Sequence, residues 1–229
     1  MIKTDKYGIV FNAMKSNALD DWKKYTQHQF VERIGNGSLD RKLYIKYLMQ
    51  DYVFLIHFSR AWALLIAKTN SINEMRLASK TLNSLVNEEI QLHIKTCKAE
   101  GISEEQLIKT EEELNNLAYT RFVLESGYSG EFLDLLVALS PCVFGYGEIG
   151  LKLKPISKNN NQYISWIDTY FCKEYQELCI SVGNLLDKAI LDRLGNNFEN
   201  NIIWPKLNKI FLTATKLEIN FWEMSLRLE

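Results

Sequence analysis

The sequence predicts an all-α protein, and three observations carry that prediction: few chain breakers, apolar residues at helical spacing, and capping residues at regular intervals. Proline and glycine number 3 and 11 among 229 residues, whereas average usage is about 5% and 7%. Few breakers mean few turns and therefore long elements. No segment of strand-like length alternates apolar and polar residues convincingly. These features argue against sandwiches, barrels and disordered chains.

Serine residues stand where several helices are expected to begin. Ser38 is a good N-cap, and Ser71 and Ser103 are each followed three positions later by Glu or Gln, which is the capping-box pattern. We expect a single-domain bundle over residues 1–229 with about seven helices of roughly 20–30 residues. The expected segments are an amphipathic stretch over 7–33, helices over 39–69, 71–101 and 103–126, a helix from Ser129 through Pro141, a polar loop at 154–161, a helix over 162–187, a turn at 192–201 and a helix over 203–227.

Charge and cysteine usage limit the partners and the compartment. The net charge is −1, which argues against a protein that works by binding phosphate backbones. The N-terminus is too polar and acidic for a signal peptide, and the longest wholly apolar run, 61–67, is shorter than a membrane span. The four cysteines include no CxxC pair and are expected to be thiols. We expect a cytoplasmic protein that binds neither nucleic acid nor membrane.

One acidic residue lies on an otherwise apolar helix face. Tyr47, Asp51, Phe54 and Phe58 stand at i, i+4, i+7 and i+11 and so share one side of the second long helix. A carboxylate on such a face is buried and needs a partner. The alternative is that the register slips and Asp51 faces solvent.

A thiol follows a proline within a predicted helix. Pro141 removes one backbone hydrogen bond and kinks the helix, and Gly145 and Gly147 permit close approach. Cys142 and Tyr146 stand four positions apart, so thiol and phenol share a face. This setting suits a nucleophile. The alternative is a buried structural cysteine.

A second acid lies among aromatic residues in the last predicted helix. Glu218, Phe221 and Trp222 stand at i, i+3 and i+4. A carboxyl with aromatic neighbours has a raised pKa and can donate a proton; the alternative is an acid at the border of an amphipathic helix. Tyr119 and Tyr170 are further aromatic residues on helix faces, or else core tyrosines with satisfied hydroxyls.

Glu89 and His93 are spaced so that both can ligate one metal ion. A helical di-iron site needs several carboxylates and usually more than one histidine, and no histidine follows residue 93. We therefore expect a surface ion pair here and no metal.

Taken together, these positions resemble the TenA family, the thiaminase II / aminopyrimidine aminohydrolase group of the haem-oxygenase-like helical fold. The resemblance covers nearly the whole chain. The motifs that carry it are Gln50-Asp51 with an aromatic residue three on, Asn87 to His93 followed by Gly101-Ile102, Leu117-Ala118-Tyr119, Ser140-Pro141-Cys142 with Tyr146 and Glu148, Tyr163 to Tyr170, and Glu218 with Phe221-Trp222.

The resemblance implies a role for each matching residue. Cys142 matches the nucleophile, Glu218 the carboxyl that protonates a pyrimidine ring nitrogen, and Asp51 the carboxylate that recognises the amino-pyrimidine edge. Phe54 stands where many relatives have tyrosine, so stacking is kept while a hydroxyl contact is lost. The other residues implied to bind substrate are the pocket tyrosines Tyr119, Tyr146 and Tyr170, the stacking residue Phe221, and Tyr47.

The resemblance also implies an activity. A thiolate adds to the pyrimidine ring, and aminomethyl-aminopyrimidine loses ammonia, or thiamin loses its thiazole, to give hydroxymethyl-pyrimidine. The implied enzyme needs no metal or organic cofactor and is a homotetramer. Two alternatives remain open: a non-catalytic pyrimidine-binding or regulatory protein on the same fold, and a haem- or quinone-dependent oxidase with His28 as an axial ligand.

Overall fold

The computed structural model describes residues 5–227, and its architecture within that range is all-α, as the sequence predicts. Twelve α-helices occur in the described residues, together with a π-helical turn at Leu85–Glu89 and short 3-10 turns at Asp5–Tyr7 and Phe198–Asn200. The helices are α1 (Ile9–Asn17), α2 (Leu19–Thr26), α3 (Gln29–Asn36), α4 (Arg41–Ala67), α5 (Ile72–Ser84), α6 (Ile90–Ala99), α7 (Glu104–Ile108), α8 (Leu114–Tyr128), α9 (Phe132–Leu153), α10 (Ile164–Phe171), α11 (Lys173–Leu194) and α12 (Trp204–Ser225).

Helix α9 is the centre of the bundle. It packs against α2, α4, α8, α10, α11 and α12, and only Glu148, Leu151 and Lys152 among its 22 residues are not buried. Its length and apolar composition would suit a membrane span, but 94% of its apolar window is buried inside the protein. Here α9 is therefore a core helix.

The structure has fewer long helices than expected. The sequence predicts about seven, but only four helices among the described residues exceed 20 residues: α4, α9, α11 and α12. The stretch 7–33 divides into α1, α2 and α3, and the segment 162–187 divides at Cys172, whose backbone is extended. The segment 103–126 divides between α7 and α8. Side chains that accept hydrogen bonds from the backbone cause two of these divisions: His28 caps α3 and Cys172 caps α11.

Carboxylates replace two of the expected serine caps. Asp40, not Ser38, caps α4 by accepting a hydrogen bond from the Lys42 amide at 2.7 Å. Glu131, not Ser129, caps α9, and Asp134 completes its capping box. A negative charge at a helix N-terminus also interacts favourably with the helix dipole, which serine cannot do.

The N-terminal 3-10 turn lies directly on α11 because of a glycine. A Cβ built on Gly183 would lie 2.0 Å from the carbonyl oxygen of Tyr7. The Tyr7 hydroxyl donates a hydrogen bond to Gln176 Oε1 at 2.6 Å on the same helix. Gly183 thus allows the close approach that fixes the start of the described chain.

We predict that Gly183→Ala destabilises the protein by about 1–3 kcal/mol, because the added methyl group has no room beside the Tyr7 backbone. Chemical denaturation measures the loss. The matched control is Asn184→Ala, an exposed position on the same helix, which should change the free energy of unfolding by less than about 0.5 kcal/mol. Equal stability of the two variants would contradict the close contact.

Candidate active site

Phe54, Tyr119 and Phe221 form one half of a buried aromatic cluster between α4, α8 and α12. The ring centroid of Phe54 lies 4.8 Å from that of Tyr119 and 5.8 Å from that of Phe221. Rings at these distances and tilts make favourable edge and offset contacts. Three helices that are distant in sequence thus bring predicted site residues together.

Tyr146 and Tyr170 form the other half, and Tyr47 joins the two. The rings of Tyr146 and Tyr170 lie 4.8 Å apart. The Tyr47 hydroxyl lies 3.5 Å from that of Tyr146, and the Tyr47 ring lies 6.2 Å from that of Phe221. All six aromatic residues predicted for the site therefore form one connected set, called here the aromatic cluster: Tyr47, Phe54, Tyr119, Tyr146, Tyr170 and Phe221.

Glu218 is buried at the edge of this cluster. Its Oε1 accepts a hydrogen bond from the Tyr119 hydroxyl at 2.8 Å. Burial, with the negative charge of Asp51 adding to it, raises the pKa of Glu218 to about 8, against the opposing effect of the Tyr119 hydrogen bond. Its carboxyl group is consequently protonated at neutral pH and can act as an acid.

Cys142 lies beside Glu218 and is also buried. Burial raises the pKa of the thiol well above its usual range, and the carboxyl groups of Glu218, Glu89 and Asp51 raise it further when they are ionised. The resting side chain is therefore a thiol. It becomes a nucleophile only when a neighbouring group takes its proton.

Asp51 faces the interior, so the alternative that it faces solvent is wrong. Its side chain is 3% exposed. Asp51 Oδ2 accepts a hydrogen bond from the Tyr47 hydroxyl at 3.1 Å and lies 2.7 Å from His93 Nε2. The buried carboxylate thus has the partners that burial requires.

The prediction that Glu89 and His93 form a surface ion pair is also wrong. His93 is 2% exposed, and its Nδ1 lies 2.9 Å from the backbone carbonyl oxygen of Glu89. The Glu89 carboxyl accepts a hydrogen bond from the Tyr170 hydroxyl at 2.9 Å, and burial raises its pKa to about 7. Their spacing in the sequence correctly predicted that Glu89 and His93 lie close together. It could not predict that each also contacts a residue on another helix, His93 with Asp51 and Glu89 with Tyr170.

The sequence analysis also missed Tyr25, on α2. Its buried hydroxyl makes no hydrogen bond of good geometry with the described residues, but it lies close enough to Glu218 to lower the pKa of that carboxyl group. Burial raises its pKa well above the usual range, with Glu218 and Cys142 as the next causes, so the hydroxyl lies near both. A Cβ on Gly145 would lie 2.1 Å from the Tyr25 ring. The glycine pair after Cys142 was the available signal, since it predicted that another group approaches α9 closely.

Two residues weighed from the sequence lie in structural contacts instead. Glu148 pairs with Lys15 at 2.6 Å and accepts a hydrogen bond from Trp22 Nε1 at 3.1 Å. His28 Nδ1 accepts a hydrogen bond from the Phe30 amide, and its Nε2 lies 3.0 Å from a carboxylate oxygen on α12. Both ring nitrogens of His28 are therefore engaged, which disfavours its use as an axial ligand.

We predict that Glu218→Gln stabilises the protein relative to the wild type increasingly as pH rises from about 4.5 to about 8. Glu218 in the folded state binds its proton more tightly than in the unfolded state, so the wild type loses stability across this interval. Glutamine removes that dependence. Thermal unfolding at pH 5 and pH 8 measures the difference.

The control for this experiment is Glu125→Gln, which removes an exposed carboxyl on α8. Its melting temperature should follow that of the wild type at both pH values. If the difference in melting temperature between Glu218→Gln and the wild type is the same at both pH values, Glu218 is not a neutral buried acid.

Comparison with known proteins gives relatives along nearly the whole chain. An aminopyrimidine aminohydrolase of Halalkalibacterium halodurans is 36% identical, with 89% of each chain covered. One of Helicobacter pylori is 30% identical, with 91% of this chain and 94% of the relative covered. A crystal structure described as a TenA family transcription regulator, from Silicibacter sp. TM1040, is 52% identical and superposes with a TM-score of 0.96 over 98% of this chain and 100% of that one.

The family model described as TENA/THI-4/PQQC family matches residues 16–228. That range includes every candidate site residue named above. The chain therefore belongs to the TENA/THI-4/PQQC family.

Proposed function

We propose that the protein is a hydrolase of thiamin salvage that converts an aminopyrimidine to hydroxymethyl-pyrimidine. The substrate is aminomethyl-aminopyrimidine, thiamin or both. The first loses ammonia in the reaction, and the second loses its thiazole. The observation that carries the proposal is the pairing of a buried thiol, Cys142, with a buried protonated carboxyl, Glu218, beside the aromatic cluster. The names of the two aminopyrimidine aminohydrolase relatives support the substrate class.

The binding surface suits a flat, uncharged ring. Phe54, Tyr170 and Phe221 offer ring faces and edges for stacking, which an aromatic pyrimidine favours. Asp51 accepts a hydrogen bond from the exocyclic amino group. Phe54 lacks the hydroxyl that many relatives carry there, so we propose that it affects affinity or the choice between the two substrates.

The two reacting groups exchange one proton in the proposed mechanism. Glu218 gives its proton to a pyrimidine ring nitrogen, which makes the ring electron-poor, and the resulting carboxylate takes the proton of the Cys142 thiol. The thiolate then adds to a ring carbon and forms a C–S bond. Because both groups are neutral at rest, this exchange creates no unpaired buried charge before substrate is bound.

Electron density from the adduct expels the leaving group from the methylene carbon. Ammonia from the protonated aminomethyl group, or neutral thiazole from the thiazolium, departs with the electron pair of the broken C–N bond. Water then adds its hydroxyl group to the methylene and releases its other proton to solvent. The C–S bond then breaks, the thiolate recovers its proton, and the ring nitrogen returns its proton to Glu218. One difficult substitution is thereby divided into easier steps, and the net change is hydrolysis of one C–N bond.

We predict that Cys142→Ser lowers hydroxymethyl-pyrimidine formation by at least about 100-fold, because a serine hydroxyl is a far weaker nucleophile in this position. Both aminomethyl-aminopyrimidine and thiamin should be assayed, with product followed by chromatography. Absence of turnover by the wild type with either substrate would refute the hydrolase. Full activity in the variant would refute the role of Cys142 only.

A matched control is Cys172→Ser. Cys172 is a half-buried cysteine outside the aromatic cluster, and its sulfur accepts the Tyr175 amide hydrogen bond that caps α11. Serine is itself a good N-cap, so this variant should keep wild-type activity.

The second candidate function is a pyrimidine-binding regulator without catalysis. The description of the Silicibacter neighbour as a transcription regulator favours it. Binding of an aminopyrimidine with no turnover would support it, whereas turnover that depends on Cys142 would support the hydrolase. The cytoplasmic location and the homotetramer stay predictions, and light scattering measures the second of these.

A further inference from the structure

A buried imidazole contacts the carboxylate that is proposed to recognise substrate. His93 follows the π-helical turn Leu85–Glu89 on α6, and its Nε2 lies 2.7 Å from Asp51 Oδ2 on α4. Both side chains are almost completely buried. π-helical turns occur frequently at functional sites, and this one immediately precedes the helix that carries His93.

The hydrogen-bond partners of His93 determine where its protons lie. Nδ1 contacts the backbone carbonyl oxygen of Glu89, which can only accept, so Nδ1 carries a proton. Nε2 contacts a carboxylate oxygen. Burial acts to lower the pKa of His93, but the hydrogen bond and the charge of Asp51 outweigh burial and raise it. Both ring nitrogens of His93 thus face acceptor oxygens, which is the hydrogen-bond arrangement of an imidazole that donates to the Asp51 carboxyl group.

Several other titratable groups of the described residues surround this pair, and Arg41 lies over the ring of one of them, Tyr44, 5.0 Å from its centroid. Glu89 adds to the raised pKa of His93, while Tyr44 lies in the same crevice between α4, α6 and α10. His93 is the basic group that hydrogen-bonds the Asp51 carboxyl group directly. The groups facing the pair are Tyr44 and Tyr47 from α4, Glu89 from the π-helical turn, Tyr119 from α8, Cys142 and Tyr146 from α9, Tyr170 from α10, and Glu218 from α12.

The two oxygens of Asp51 have different partners. Oδ2 accepts from the Tyr47 hydroxyl and from His93. Oδ1 accepts no hydrogen bond from residues 5–227. One oxygen is therefore held by the protein, and the other is left as an acceptor for an N–H group of a ligand.

We propose that His93 is a positioning residue, which holds Asp51 by Oδ2 so that Oδ1 accepts a hydrogen bond from the amino group of the substrate. This inference rests on the proposed function. It goes beyond that function by assigning recognition of the amino group to a two-residue unit on different helices. His93 itself does not touch the substrate.

The test compares His93→Leu with the wild type in binding two ligands: hydroxymethyl-aminopyrimidine, and the same pyrimidine without its amino group. Calorimetry measures both affinities. Loss of a buried hydrogen bond to a charged group corresponds to roughly 10- to 100-fold in affinity, so we expect that loss for the aminated ligand. We expect little change for the ligand that lacks the amino group.

Kinetics supply a readout that a merely structural role would not change. In His93→Leu we expect KM to rise more than kcat falls, because the Asp51 oxygen that accepts from the amino group is no longer held in place, while Cys142 and Glu218 are unchanged. His93→Gln restores an N–H donor to Asp51, so it should recover part of the affinity.

The matched control is His28→Gln, which changes a buried histidine that contacts Glu223 and lies outside the aromatic cluster. It should leave the affinity ratio and KM unchanged. Circular dichroism shows whether each variant folds, and if His93→Leu does not, the comparison is made with His93→Gln.

Three results would overturn the inference: equal losses for both ligands, a kcat that falls more than KM rises in His93→Leu, or wild-type binding in both His93 variants. A wild type that binds the aminated ligand selectively but does not turn over either substrate refutes the proposed hydrolase and leaves the role of His93 supported. A wild type that binds neither ligand refutes both.

Discussion

Burial of two carboxyl groups, Asp51 and Glu218, among aromatic rings, with a half-buried third, Glu89, beside them, is the constraint on which this structure depends. An ionised carboxylate in a low-dielectric interior is costly unless it is paired or protonated. Glu218 is protonated and hydrogen-bonded to Tyr119, whereas Asp51 pairs with His93. Glu89, with a pKa of about 7, accepts from Tyr170. Each carboxyl group is thus stabilised in a different way. Such differences in environment allow one carboxyl group to act as an acid and another to recognise substrate.

The central helix makes these environments compatible with close packing. Small residues on α9 allow neighbouring elements to approach: a Cβ on Gly145 would overlap Tyr25, and one on Gly150 would lie 2.5 Å from the Tyr170 backbone. The first contact places the Tyr25 hydroxyl near Cys142 and Glu218. The second contact allows α10, which carries Tyr170, to pack directly against α9. A larger residue at either glycine would displace part of the site, so fold and site share the same packing constraint.

Sequence patterns anticipated contacts along one helix better than contacts between helices. The i, i+4, i+7 spacing correctly placed Tyr47, Asp51 and Phe54 on a buried face. Helical spacing also singled out Cys142 with Tyr146 and Glu218 with Phe221, the family resemblance gave these residues their implied roles, and the structure brings them together. The partner of Asp51 was missed because His93 lies on another helix, where spacing carries no information. Helix ends at Cys172 and near His28 were missed because single side-chain caps, rather than proline or glycine, produce them.

The protonation state of Glu218 in the resting protein tests the central claim most directly. Infrared difference spectroscopy of the wild type against Glu218→Gln isolates the C=O band of this one carboxyl group. A carboxylic-acid band that is present at pH 7 and is lost on titration near pH 8 is the expected result. A carboxylate at pH 7, with titration in the ordinary range of an exposed glutamate, would contradict a neutral acid held ready beside Cys142.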